Sequence, residues 1–267
     1  MMFSIRNLRA ARVNLLMNDF AAGLPSPLSF LGLGDTIVRS LGLEPWSARV
    51  LPILHQVSVS AGRTKPEMEA EGIVFSPIET MEDLTGSVVV SLLIDIPGLD
   101  DNLALADALV GCRIAGGTIS NEKFTVEQVT PDGSAFSKMQ RGYALMAARS
   151  ADRRILSTGS KQSLADVASA LFPATRLPGF GWPVPVAVGY RLLEDPDTVP
   201  ARSRTRSRTV PHVFAEPVLG IAEMVSVRNE TLTKATAADL TSILWGWDAR
   251  DTYILGHSAY HPTSSAV

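Results

Sequence analysis

Residues 201–210 read ARSRTRSRTV, with Arg202, Arg204, Arg206 and Arg208 at every second position and only Ser or Thr between them. On an extended strand alternate side chains share a face, so the four guanidinium groups would line one side about 6.6 Å apart. A row of that kind suits a polyanion, because each guanidinium can grip a phosphate through two parallel hydrogen bonds. The same composition suits a solvated connector, since Ser, Thr and Arg are also what flexible segments contain. The row alone does not separate the two readings.

Other residues capable of chemistry are few. Of the four histidines, His55, His212, His257 and His261, none stands in an H-E-x-x-H pattern, and no metal site is expected from them. His55 falls within the apolar strand pattern RVLPILHQVSV. A core imidazole satisfied by a backbone group is one reading, and general acid work on RNA is the other. Asp95, Asp100 and Asp101 precede a helical pattern and read as caps rather than as paired catalytic carboxylates. Gly32-Leu33-Gly34 has Ile37 where a dinucleotide fingerprint needs its third glycine, and it lies inside a helix rather than before one. IAGGTIS lacks the Gly-Lys-Ser/Thr of a phosphate-binding loop, and G-x-S-x-G is absent. No cofactor is implied. Phe180, Trp182 and Tyr190 cluster around a Pro-rich strand, where bases could stack, although core packing is the expectation for Trp182.

Composition narrows the classes. With 267 residues, 46% of them apolar, the chain can bury a sizeable core. The net charge of −3 excludes a generally basic nucleic-acid binder but not a local site, because the arginines gather at 149–154 and 202–208 while the acids gather in KPEMEAEG and ETMEDL. The longest apolar run, Val88–Ile94, is far short of the roughly 20 residues that span a bilayer, so no membrane association is expected. One cysteine, Cys112, excludes an internal disulfide, and the N-terminus lacks the apolar core of a secretory signal; together these point to the cytoplasm.

The elements that must position these residues follow from the patterns. ARVNLLMND alternates Val13, Leu15 and Met17 as a strand, and Ser26, Pro27 and Gly42 punctuate a helix. RVLPILHQVSV and SVVVSLLIDI are strands joined by a polar loop or lid. DDNLALADALVG is a helix with Leu103, Ala106 and Val110 at core spacing, and CRIAGGTIS is a strand broken by two glycines. The order is βαββαβ, the split arrangement of an α+β, ferredoxin-like fold. Further on, EKFTVEQVT and GYALMAARS read as hairpin strands and SKQSLADVASALF as a helix. GFGWPVPVAVGYRLL reads as a strand that its prolines should confine to an edge or bulge. PHVFAEPVLGIAEMVSV adds strand material and AADLTSILWGW a last short helix. No fixed-period repeat or clean linker divides residues 1–267, so a single domain with an inserted hairpin or thumb, roughly 121–160, is expected.

GLPSPLSFLG, SLLIDIPGLDD, CRIAGGTIS and GWPVPVAVGYRLL…ARSRTRSRTVPHVFAEPVLGIAEM, in this order from about Asn14 to about Leu255, resemble the second Csy-type subunit of the type I-F CRISPR surveillance complex. That family consists of RAMP proteins that cap the 5′ end of the guide RNA within the antiviral ribonucleoprotein called Cascade. The resemblance implies an RRM/RAMP fold that binds the 5′ handle of CRISPR RNA without catalysis. It also implies contacts with the large subunit and the first backbone RAMP subunit, and an indirect relation to target DNA near the PAM.

By position, His55 matches the family's strand histidine, and Arg113, Gly116 and Gly117 match its Gly-rich segment. Asn14 and Asn18 sit in its N-terminal polar segment, and Arg202, Arg204, Arg206 and Arg208 in its Arg-containing loop. The chain departs from the family by a shorter middle after Gly133, by Met224 in place of a tryptophan, and by a basic stretch reduced to Lys138, Arg141, Arg149, Arg153 and Arg154. The implied RNA-binding set is therefore Asn14, Asn18, His55, Arg113, Gly116, Gly117, Lys138, Arg141 and the Arg row. Two rivals stand beside it: a metal-independent endoribonuclease of related fold using His55, and a protein-only subunit whose Arg loop meets an acidic surface.

Overall fold

The computed structural model describes the chain apart from residues 18–20, 61–63, 83, 122, 149–163, 176–180, 203–209, 251 and 259–267. Its first half runs β1 (Met2–Asn14), α1 (Pro27–Ser40), β2 (Arg49–Val59), β3 (Thr64–Glu71), β4 (Val74–Glu82), β5 (Thr85–Asp95), α2 (Asn102–Ala108), β6 (Arg113–Ile114) and β7 (Gly117–Ile119). The second runs β8 (Thr125–Gln128), a 3-10 turn (Gly133–Phe136), β9 (Tyr143–Ala147), α3 (Leu164–Leu171), β10 (Trp182–Leu192) and β11 (Ala215–Ser226). It ends with α4 (Glu230–Thr233), α5 (Ala237–Ile243), β12 (Trp245–Arg250) and β13 (Tyr253–Ser258).

Among the described residues, eleven strands form one sheet in the order β12-β13-β10-β11-β9-β2-β5-β1-β7-β6, with β8 joined to β1 alongside β7. Its pairings are antiparallel. The chain is thus mixed α and β, with a large antiparallel sheet and few helices. Trp245 also pairs with Val50, so β2, β9, β11, β10, β13 and β12 close a ring. α1 packs against its inner face, where Leu28 and Leu31 lie over Gly256. The Trp245 ring is buried there and its Nε1–H donates to the Leu145 carbonyl at 2.8 Å.

Local chemistry explains the helices. Ser26 caps α1 by accepting the Leu28 N–H, Pro27 opens it, and Gly42 at φ +68° ends it while the Leu43 N–H returns to the Val38 carbonyl. Asp101 caps α2. The expected core face of α2 is wrong, however: Leu105 and Leu109 are buried, whereas Leu103 and Val110 are 70% and 71% exposed. A helix this short has one packing row, and the i, i+4 pair takes it.

Other sequence expectations are revised by long-range pairing. β1 begins at Met2, so the arginine-bearing N-terminus is strand rather than a prelude to one. The loop expected between β2 and β5 is a two-stranded hairpin, β3–β4, which among the described residues pairs only with itself. EKFTVEQVT and GYALMAARS do not form a hairpin: β8 pairs with β1, and β9 is inserted between β2 and β11. Of the segment 121–160, the part as far as Ala148 is woven into the body in this way, and 149–160 lies outside the described residues.

The end of AADLTSILWGW is not helical, because α5 stops at Ile243 and Trp245 starts β12. Among the described residues, Pro183 and Pro185 of β10 pair with β11 alone, since β13 joins at Gly189–Arg191, and a bulge lies between Ala187 and Gly189. Trp182, expected in the core, is 56% exposed. It opens β10 ahead of the point where β13 joins.

Candidate nucleic-acid interface

Two apolar clusters cover the sheet unequally. The larger joins α1 and α2 to Phe3, Ile5, Leu8, Ala10 and Val13 of β1 and to Val88, Val90 and Leu92 of β5. The smaller covers part of the opposite face, around Leu51, Ile53, Leu93, Phe136 and Met146. Among the described residues, neither cluster covers the upper part of that opposite face.

Register identifies what lies there. Arg113 pairs with Thr118, Thr118 with Ala11, Ala11 with Ser87 and Ser87 with Ser58, giving one row across β6, β7, β1, β5 and β2. The next row is Arg9, Val89 and Gln56. Arg113, Thr118, Ala11, Ser87, Arg9 and Gln56 are exposed, and neither row holds a carboxylate. Directly opposite residues of antiparallel strands share a face. The result is a shallow surface of small and polar side chains carrying two guanidinium groups.

His55 sits below these rows at a bulge in β2. Its Nδ1 lies 2.9 Å from the Arg141 carbonyl and its Nε2 2.7 Å from Ser91 Oγ, which also accepts the Asn7 N–H at 3.1 Å. A carbonyl can only accept, so Nδ1 donates to Arg141, while Ser91 Oγ keeps a hydroxyl proton and a second lone pair for its contact with Nε2. The ring is a structural bridge between β2, β5 and the loop before β9. Gly142 makes room for it: a Cβ there would lie 2.6 Å from Nδ1. The Arg141 side chain is exposed beside this bridge.

Gly116 and Gly117 serve different purposes. Ala115 (φ +46°) and Gly116 (φ +79°) form the two-residue turn of the β6–β7 hairpin, a geometry requiring left-handed backbone at both positions. Gly117 is buried against β1, where a Cβ would come within 2.6 Å of the Ala11 carbonyl and 2.8 Å of the Val13 nitrogen. The turn also lies against Asn14, whose N–H donates to the Ala115 carbonyl at 2.9 Å. Both residues line an open groove of about 420 Å³ with Ser26, Ser29, Tyr190 and Pro217. Asn14 and the Gly turn are thereby brought beside the base of β10 and β11, where the Arg loop begins.

Lys138 is held in a separate network. Glu127 Oε1 accepts from Arg6 Nη2 at 2.9 Å and Oε2 from Lys138 Nζ at 3.1 Å. The Lys138 hydrogen bond, aided by the Arg6 charge, holds the Glu127 carboxyl below the usual glutamate range.

Arg202 is also committed: its Nη2 pairs with Glu194 Oε1, and its guanidinium stacks 4.2 Å over the Phe214 ring. Glu194 Oε2 accepts the Phe214 N–H at 2.7 Å, so one carboxylate fastens both ends of the Arg loop. The first arginine of the row is therefore a fastener at the loop's neck. Asn18, Arg204, Arg206, Arg208, Arg149, Arg153, Arg154, Phe180 and His261 lie outside the described residues.

The structure adds Arg9, Gln56, Ser58, Ser87 and Thr118 to the set read from the sequence. The signal for them was the polar alternation Ser87, Ser91 within the apolar run of β5, together with Gln56, Ser58 in β2. Among the described residues, no group of three His, Cys, Asp or Glu side chains is gathered as a metal site, and no helix is long and apolar enough to cross a membrane.

Residues 166–255, about a third of the chain, match the model of the family described as CRISPR-associated protein (Cas_Csy2). No curated protein matches the chain. The matched stretch runs from within α3 through β10, β11 and β12 into β13 and contains the Arg loop with its Glu194 fastening. It supports what the ordered motifs from Asn14 to Leu255 resemble, a Csy2-type CRISPR-associated protein.

Proposed function

We propose that this chain is a non-catalytic RNA-binding subunit of a type I-F-like CRISPR effector complex, holding the 5′ handle of the guide RNA and joining the large subunit to the backbone. The observation that carries the reading is the sheet face where Arg9 and Arg113 flank small polar residues in two rows that themselves hold no carboxylate. Such a surface lets a single strand lie flat while guanidinium groups take its phosphates, which positions the strand without reading its bases. The strand order β2-β5-β1-β7 with α1 and α2 on one face supports a ferredoxin-like RAMP core beneath it.

The non-catalytic reading is favoured over the endoribonuclease one by the engagement of both His55 ring nitrogens within the fold. The test is copurification from cells carrying a CRISPR array, followed by sequencing of the bound RNA. A short RNA with one uniform 5′ end is the expected result; no nucleic acid, or RNA of random ends, would refute it.

A further inference from the structure

A small cleft lies on the same side of the sheet as the open face, below Arg9 and at the junction of β1, β8 and the 3-10 turn. It has a volume of about 230 Å³ and is lined by Ser4, Arg6, Gln128, Thr130, Ser137 and Lys138, among others. Two of its polar groups are buried without a partner. Ser4 is 2% exposed and its Oγ makes no hydrogen bond, and Arg6 Nε is likewise buried and unpaired although Nη1 and Nη2 are engaged. A buried donor without a partner is costly, and a fold that keeps two in one cleft calls for an acceptor there.

The lining selects the acceptor. Arg6 and Lys138 bring two positive charges, and Glu127 returns one negative charge that both already share, which leaves a net charge of +1. A cation is repelled, and an apolar group would leave the Ser4 and Arg6 donors unsatisfied. The volume is below the roughly 300 Å³ at which drug-sized pockets begin, so the occupant is one small group. A singly charged oxygen acceptor fits: a phosphodiester. Arg9 follows Arg6 on the same face of β1, beyond the bulge at Asn7, so a strand lying on the open face leads to this cleft.

Resting on the RNA-binding reading above, we propose that the cleft receives one phosphodiester group of the bound RNA, its oxygens accepting from Arg6 Nε, Ser4 Oγ and Lys138 Nζ. Arg6 and Ser4 are then RNA ligands rather than parts of the core.

The experiment compares wild type, Ser4→Ala, Arg6→Lys and the double variant Arg9→Ala/Arg113→Ala, measuring binding of end-labelled oligouridylate against salt and the thermal midpoint of the free protein. Ser4→Ala should leave the midpoint unchanged or higher, since it deletes an unpaired hydroxyl, yet weaken RNA about tenfold. A merely structural serine cannot give that combination. Arg6→Lys keeps the charge and the Glu127 pair but loses Nε, so affinity should fall about tenfold with an unchanged salt slope.

Affinity unchanged in Ser4→Ala and Arg6→Lys, with a loss in the Arg9/Arg113 variant, overturns the cleft and leaves the open face standing. Affinity unchanged in all three variants overturns both. If Arg6→Lys does not fold, Ser4→Ala decides alone, and unchanged affinity overturns the proposal. A midpoint raised by sodium phosphate over sodium chloride at equal ionic strength, abolished in Arg6→Lys while RNA affinity persists, assigns the cleft to free phosphate and overturns the RNA assignment.

Discussion

His55 Nε2 lies 2.7 Å from Ser91 Oγ, which also accepts the Asn7 N–H, so one hydroxyl ties β2 and β1 to β5. The imidazole is thus engaged at both nitrogens. His55→Ala leaves the Arg141 carbonyl and the Ser91 hydroxyl unpaired and should destabilise the fold by about 1–3 kcal/mol. Urea unfolding measures this, and incubation with repeat RNA in metal-free buffer should show the same absence of cleavage before and after the change.

Gly142 and Gly117 predict how tightly backbone passes backbone. Gly142→Ala puts a methyl group 2.6 Å from His55 Nδ1 and 2.7 Å from the Leu54 carbonyl, and Gly117→Ala meets Ala11 and Val13 at similar distances. Each should cost about 1–3 kcal/mol. Gly116→Ala meets nothing within 4 Å and bears only the left-handed backbone cost of about 1 kcal/mol. Thermal melting of the three variants should rank Gly116→Ala as the mildest.

The Arg row should contribute three cations to phosphate contact rather than four, because Arg202 is fastened to Glu194 and Phe214. Changing Arg204, Arg206 and Arg208 to Ser should reduce the salt slope of RNA binding by about 2, taking about 0.7 per phosphate on a single strand. Adding Arg202→Ser should cost affinity without a further change in slope. A full further step of about 0.7 would return Arg202 to the phosphate-binding set.

Glu127 sets an acid limit on the cleft. Its folded carboxyl titrates below 4.5, the ordinary value, so its stabilising pairs with Lys138 and Arg6 are complete above that pH and are lost as pH falls through the depressed value. Urea midpoints followed from about pH 6 to about pH 3 should decline more gently in Glu127→Gln than in wild type. A parallel decline would remove this carboxylate from the acid sensitivity of the fold.

What the sequence disclosed and what it concealed divide along the range of the interactions. Ser26, Pro27, Gly42 and Asp101 act within a few residues of themselves, and their caps and stop are where the chain announces them. Pro183 and Pro185 similarly indicated that, among the described residues, one side of β10 is unpaired along their stretch. β8 and β9 look alike in sequence, yet one pairs with β1 and the other with β2 and β11, a choice made by contacts far apart in the chain. For the site, Asn14, Arg113 and Gly116 were legible as types in a pattern. Arg9, Ser87 and Ser58 became candidates only once register set them side by side. Ser4 carried no signal, since a serine among apolar strand residues differs from any buried hydroxyl only in lacking a partner.

Trp245 opposite Val50 turns the ring of six strands into a hoop whose staves come from both ends of the chain. The stretch that matches the family model, 166–255, supplies four of those staves, while β2 and β9 and the filling provided by α1 come from residues before it. Expressed alone, that stretch would display a bare row of amides along β11 and an unfilled interior. The recognisable part is therefore not an autonomous module, and the first 148 residues form the mould in which it sets.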